Sequence, residues 1–236
     1  MVRARRGYFS ILVLIIGFLS ALSWDLAQFA VQDDAGVIKK IPTKHKVVAL
    51  TIDDGPHQVT TPMLLKVLEE KKVKATFFIL GTNAENNLHL VAREAAAGHE
   101  VANHGYSHKK LSGLSVAEME EEINKTEALL LRVSEKPLFF RPPYGSYNDQ
   151  TVTALKDKGY TTVLWTVDSN DWRLPNPEQI AQNVIQAVAP GKIILMHDGQ
   201  YPIPTIDALP IIIDSLRKDG YDFVTMSELL NYYEKR

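Results

Sequence analysis

The chain of 236 residues predicts an α/β fold: one closed or nearly closed β/α barrel of about seven parallel strands, a single domain after an N-terminal hydrophobic segment. Three observations predict it. Short apolar, β-branched runs recur from Lys46 onward, amphipathic helical patterns fill the intervals between them, and no internal composition break divides the unit. Strands separated by helices run parallel, and a parallel sheet is stable only with its faces covered. A doubly wound open sheet is the alternative, because periodicity alone does not separate the two.

The chain opens with Arg3, Arg5 and Arg6 ahead of YFSILVLIIGFLSALSW, residues 8–24. A basic flank before such an apolar run reads as a signal peptide or membrane anchor over residues 1–24. Ala21 and Ser23 suit cleavage before Trp24, and the uncut run is long enough to span a bilayer. A buried core helix is the weaker reading, since such helices carry a polar face and this run offers only serines. Either way the remaining chain is exported, as a secreted protein or one anchored facing the cell wall. Residues 25–45 read as a polar spacer, and residues 46–236 as the domain.

Within the domain the strands are VVALTI (47–52), ATFFIL (75–80), HEVAN (99–103), LFFR (138–141), TTVLWTV (161–167), KIILMH (192–197) and DFVTM (222–226). The first, VVALTI, is an apolar, β-branched run of the kind that forms a buried strand. Thr61–Pro62 marks a helix start after the first strand. Ser115 with Glu118 forms a capping box, ahead of a stripe of Met119, Ile123, Thr126, Leu130 and Val133. Gly98, Gly159 and Gly220 stand just before strands, where helix C-caps fall.

Composition excludes several classes. The 26 basic and 28 acidic residues leave a net charge of −2, with no basic block outside the N-terminus, so nucleic acid binding has no electrostatic support. The chain lacks cysteine. Although exported, it therefore relies on its core rather than on disulfides, and any metal site must use His, Asp or Glu.

Functional groups of β/α barrels collect past the C-terminal strand ends. There the sequence places Asp53 and Asp54 in TIDDGP, His104 and His108 in NHGYSH, Arg141 and Tyr144 in RPPYG, Asp168 and Asp171 in DSNDW, and His197 in LMHD. Adjacent carboxylates repel unless a cation, a proton or a basic side chain offsets them. The H-x-x-x-H spacing puts two imidazoles on one side of a turn; with one aspartate from the same rim they form a catalytic metal set that leaves a position open for water. The set suits zinc, with cobalt, nickel, manganese or iron as alternatives. Arg141, between an apolar pair and two prolines, is a counter-charge for the aspartates.

In this order, TIDDGP, HGYSH, RPPYG, DSNDW and LMH resemble the polysaccharide deacetylase (NodB-homology) family, carbohydrate esterase family 4, over roughly Lys46 to Ser227. The resemblance implies a deformed (β/α)-barrel and a divalent metal, commonly zinc, serving hydrolysis of the acetamide of N-acetylated sugars. By resemblance, Asp54, His104 and His108 would hold the metal, Asp53 would be the general base paired with Arg141, and His197 would be the general acid oriented by Asp171. The Tyr144 N–H would help bind the oxyanion, while Leu195 and Trp172 would line the acetyl pocket. Asp168 reads as structural.

Two positions depart from the family pattern: Gly105 replaces a usual Ser or Thr, which removes a possible hydrogen bond beside the histidines, and Ile52 replaces a common Phe. Some bacterial members carry a hydroxylated proline in the arginine motif, and by resemblance Pro143 would be the candidate here. The implied substrate is a GlcNAc-containing polysaccharide, peptidoglycan or chitin-like oligomers. An O-acetyl xylan esterase uses the same chemistry, and a catalytically silent cell-wall-binding protein is the reading from another class. The presence of every implied catalytic group argues against the silent reading, and export argues against a hydrolase of small ureides.

Overall fold

The computed structural model of the chain describes residues 32–33, 35–174 and 176–234. The expected signal peptide or anchor lies outside them. Nine strands are present among the described residues: β1 (Val37–Ile38), β2 (Val47–Asp53), β3 (Thr76–Ile79), β4 (Glu100–Asn103), β5 (Phe139–Phe140), β6 (Thr161–Val163), β7 (Val167–Asp168), β8 (Ile193–His197) and β9 (Asp222–Val224). Their order in the sheet is β1-β6-β5-β4-β3-β2-β8-β7, with β9 added to β2, and every pairing is parallel. Around the sheet stand α1 (Thr60–Lys71), α2 (Gly81–Ala96), α3 (Val116–Leu130), α4 (Asp149–Asp157), α5 (Pro177–Ala187), α6 (Thr205–Lys218) and α7 (Met226–Leu230).

β2 is the central strand, and all of its residues are buried. Ala49 pairs with both Ile193 of β8 and Val224 of β9, so those strands flank it on opposite edges. Side chains alternate in the usual period of two. Val48, Leu50 and Ile52 pack with Leu64, Leu68, Ile212 and Ile213 under the helices, whereas Val47 and Ala49 join Phe78, Ala102, Phe139 and Ile193 in a separate inner cluster. The inner row continues through Thr51 to Asp53, which carries the carboxylate out at the strand end.

The expected strand 161–167 is broken into two. Thr161 and Thr162 of β6 pair with Phe139 and Phe140, while Val167 and Asp168 of β7 pair with Ile194 and Leu195 at the far end of the sheet order. Residues 164–166 bridge the gap: the Leu164 N–H donates to the Ile38 carbonyl (2.8 Å) and the Thr166 N–H to the Ile193 carbonyl (3.2 Å). The sheet thus curls until a covalent link, rather than a ladder, joins β6, the neighbour of β1 at one end of the order, to β7 at the other. This is the deformation of the barrel.

The fold also begins earlier than Lys46. β1 pairs with β6, Ile41 is buried, and the Ile41 N–H donates to the Gly191 carbonyl (2.8 Å), all inside the expected spacer 25–45. Gly191 is required there: its φ is +75, and an added Cβ would lie 1.8 Å from the Ile41 carbonyl oxygen.

Helix signals hold with small shifts. The Ser115 side chain accepts from the Glu118 N–H and the Glu118 carboxylate accepts from the Ser115 N–H, forming the expected capping box of α3. Gly98, Gly159 and Gly220 follow helix ends at φ +79, +82 and +84. α1 starts at Thr60, one residue before the expected Thr61–Pro62 start, and both threonine hydroxyls donate to Asp198.

Glu94 on α2 is fully buried, and among the described residues neither carboxylate oxygen has a hydrogen-bond partner. Burial, then the charge of Asp198, pushes its carboxyl well above the ordinary range. Since the folded-state pKa exceeds the unfolded one, its contribution is fully present below the unfolded value and is lost as pH rises through the folded value. Glu94→Met is expected to stabilise the neutral-pH protein by about 1–3 kcal/mol. Thermal unfolding of both chains at a series of pH values checks this: the gain in Tm should shrink as pH falls toward the ordinary carboxylate range.

Candidate active site

Five strand ends bring titratable groups to one cavity of about 350 Å³, lined by Asp53, Asp54, His104, His108, Tyr144, Trp165, Asp168, Trp172, Leu195 and His197. Asp53 ends β2, and its neighbour turns away at once, since Asp54 adopts φ +73. The two adjacent carboxylates therefore meet different partners.

Asp53 Oδ1 accepts from Arg141 Nη1 at 2.5 Å. That guanidinium is completely buried, donates also to Thr51 Oγ1 (2.9 Å) and the Leu164 carbonyl (3.3 Å), and lies 4.0 Å from the centre of the Phe78 ring. A buried charge needs such compensation. The side chain is thereby fixed, and with it Asp53.

Asp54 Oδ1 lies 3.4 Å from His104 Nε2 and 3.2 Å from His108 Nε2. Burial drives its carboxyl up, but His104 first, then His108 and His197, outweigh burial and hold it at about 2. Burial lowers His104, yet Asp53 and Asp54 raise it above its ordinary value; burial keeps His108 below its own. His104 Nδ1 is 2.7 Å from the Arg141 carbonyl. A carbonyl only accepts, so Nδ1 carries a proton, and in the neutral ring Nε2, toward Asp54, is the nitrogen left free to ligate.

These residues fit a divalent ion. One ligand atom each from Asp54, His104 and His108 lies within 4.8 Å of the others, and Asp54 Oδ1 is buried with no hydrogen-bond partner among the described residues. An acceptor in that position is what a cation satisfies.

The turn carrying the histidines is held without a hydroxyl at Gly105. Gly105 takes φ +79 and donates its N–H to Asn103 Oδ1 (2.8 Å), while Glu122 accepts from the N–H groups of Tyr106 (3.0 Å) and Ser107 (2.7 Å). The departure at residue 105 thus leaves the turn anchored by α3.

Across the cavity, Asp171 is fully buried and His197 Nδ1 lies 2.7 Å from its Oδ1. Its other oxygen accepts from the His197 N–H (2.8 Å) and Thr205 Oγ1 (2.5 Å). Burial disfavours the imidazolium, but the hydrogen bond and charge of Asp171, then Asp53 and Asp54, raise the pKa to about 9. The imidazolium's stabilisation is complete below the unfolded value near 6.5 and is lost as pH rises through about 9. In the metal-free protein, an NMR titration of His197 is expected to show that elevated midpoint. Asp171→Asn should move it down by more than one unit; an unmoved midpoint would remove Asp171 as the cause.

The structure brings together every residue singled out in the sequence. Leu195 is buried beneath the cavity and Trp172 is half exposed at its mouth. Tyr144, at φ +61, packs its exposed ring against His108 with centroids 4.4 Å apart and the planes tilted by 56°, a contact no motif announces. Asp168, read as structural, also lines the cavity, and one of its oxygens accepts the Asn170 N–H at 2.8 Å. Trp165 and Asp198 were missed. Asp198 immediately follows His197, is fully buried, donates its N–H to the Asp53 carbonyl (3.1 Å) and binds the Thr60 and Thr61 hydroxyls. Burial raises its carboxyl to about 7. The available signal was its place in LMHD, directly after a strand-end histidine.

Residues 40–163 match the polysaccharide deacetylase family model. A peptidoglycan-N-acetylglucosamine deacetylase of Bacillus cereus is 39% identical over 196 residues, covering 82% of this chain and 92% of the relative. A solved peptidoglycan N-acetylglucosamine deacetylase, in complex with 4-naphthalen-1-yl-N-oxidanyl-benzamide, superposes with a TM-score of 0.80 at 36% identity, covering 85% of this chain and 95% of that one. A family 4 acetyl xylan esterase from Clostridium thermocellum, in complex with a cobalt ion, gives 0.75 at 36% identity over 79% of this chain and 91% of its own. With the family's acidic, histidine and arginine motifs converging on one cavity and these matches spanning most of its length, the chain belongs to the polysaccharide deacetylase family, carbohydrate esterase family 4.

Proposed function

We propose that this protein is a metal-dependent N-deacetylase that removes acetyl groups from GlcNAc residues of peptidoglycan or chitin-like oligomers. The observation that carries the reading is the division of labour at TIDDGP: Asp53 pairs with buried Arg141, while Asp54 faces two imidazoles. The B. cereus relative and the 0.80 structural match, both peptidoglycan deacetylases, support peptidoglycan.

Asp54, His104 and His108 would hold the ion, and zinc is proposed because two imidazoles and a carboxylate suit it. A bound divalent ion supplies Lewis-acid activation of water and of the acetamide carbonyl. Asp53, held by Arg141, accepts the proton that the attacking water loses. The Tyr144 N–H assists the developing oxyanion. His197, kept as imidazolium by Asp171, gives a proton to the amide nitrogen as the C–N bond breaks, so acetate and a glucosamine amine leave. Leu195 and Trp172 enclose the acetyl methyl and exclude water from one side.

The N-terminal apolar run supports export, as a secreted protein or a membrane-anchored one if the segment is uncut, where a wall glycan is within reach. Acetate release from N-acetylglucosamine oligomers and from purified peptidoglycan, with and without a chelator followed by zinc, tests the proposal. Chelator-sensitive release restored by zinc supports it. No release from either with metal loaded would sink it, and release from O-acetylated xylan alone would favour the esterase reading that the acetyl xylan esterase likeness motivates.

A further inference from the structure

We propose that Lys110 and Arg173 form a cationic rim on the cavity that selects glycans bearing carboxylates near the acetylated sugar. The inference rests on the deacetylase reading and specifies its substrate class.

The acids at the strand ends are largely committed inward. Asp53 pairs with Arg141, Asp54 faces the imidazoles, Asp171 holds His197, and Asp198 is buried against Thr61. Asp168 remains on the cavity wall, with one oxygen engaged by the Asn170 N–H. The exposed charges beside the rim aromatics have the opposite sign. Lys110 Nζ lies 5.5 Å from the centre of the Tyr144 ring, and the Arg173 guanidinium lies 4.6 Å from that of Trp172. Both rings line the cavity and are themselves exposed, at 62% and 49%. Both cations are exposed, and among the described residues neither has a carboxylate within ion-pair distance; neighbouring Lys109, by contrast, reaches Glu122 at 3.8 Å.

Each cation is therefore held over an aromatic face at the place where a sugar ring would dock, with its charge unspent. The placement runs against the chain's net charge of −2. A local patch of this kind acts within about one Debye length, roughly 8–10 Å, on anions entering the cavity. The matching chemistry is a carboxylate on a neighbouring sugar or on a short peptide attached to it.

The test compares kcat/KM on neutral N-acetylglucosamine oligomers, on oligomers that alternate with a sugar carrying a free ether-linked carboxylate, and on the same oligomers with a short acidic peptide on that position. In K110Q/R173Q, the preference for carboxylate-bearing over neutral oligomers is expected to fall about tenfold, through KM. The wild-type preference should weaken similarly between 50 and 500 mM salt, roughly as screening dictates. Whichever charged oligomer loses more identifies the source of the carboxylate. Lys66→Gln, on α1, is the control and should leave the preference intact. An unchanged preference in the double variant, or an equal loss on neutral and charged oligomers, overturns the inference. If the wild type released no acetate from any oligomer, the deacetylase reading would fail on its own. Calorimetric Kd values for the same oligomers, with and without the K110Q/R173Q pair, would then decide the rim.

Discussion

Asp53→Asn is expected to retain the metal and to lose turnover by about 10²–10⁴-fold. Asparagine keeps the size and one carbonyl oxygen, so an N–H of Arg141 still has an acceptor where it now meets Oδ1 at 2.5 Å. It cannot take up a proton at neutral pH. The ligand atoms of Asp54, His104 and His108 are untouched, and zinc per chain, measured by elemental analysis, should stay near one. The change also leaves the fully buried Arg141 without its anionic partner. Removing one member of a buried pair costs about 3–5 kcal/mol, so thermal unfolding must be run beside the rate measurement, well below the variant's Tm. Acetate release at saturating substrate decides the matter. A variant that turns over at the wild-type rate would show that Asp53 is not the base.

His104→Ala has the complementary signature: metal and activity go together. The substitution leaves His108 and Asp54 as the only members of the set, and it opens a void where a 2% exposed ring had been. Loss of partners that merely orient a ligand already costs 10–100-fold in metal affinity, so loss of the ligand itself should exceed about 100-fold. Zinc per chain after dialysis should fall toward zero, and acetate release should fall by at least that factor and stay low when zinc is returned at micromolar concentration. The wild type stripped by a chelator should recover. If the variant held zinc as tightly as the wild type, the metal would sit elsewhere. Together the two substitutions separate the base from the ligand in one dipeptide, a distinction that activity alone does not make.

The lesson of the sequence is uneven along the chain. β2 was legible because VVALTI is apolar at consecutive positions, the mark of a strand covered on both faces. The H-x-x-x-H pair and the acidic pair were legible because their chemistry is local. The break at residues 164–166 was not, because TTVLWTV is equally compatible with one strand; the partners that split it, Ile38 and Ile193, lie more than a hundred and nearly thirty residues away. β1 was hidden for the same reason, being two residues whose only mark is the edge of β6. Asp198 and Glu94 looked like ordinary acidic residues, and only burial reveals them.

By itself, then, the sequence determined the α/β class, the alternation of the longer strands with helices, and the residue types at each strand end, since hydrophobic period, capping and turn chemistry are written over a few neighbouring residues. The tertiary structure decided how the sheet curls shut through residues 164–166 and which partner each aspartate meets. It also decided which acids lie buried and which cations lie over the aromatic rings of the cavity. Those properties arise from contacts between segments distant in the chain, where burial and Coulomb interaction depend on three-dimensional separation rather than on sequence spacing.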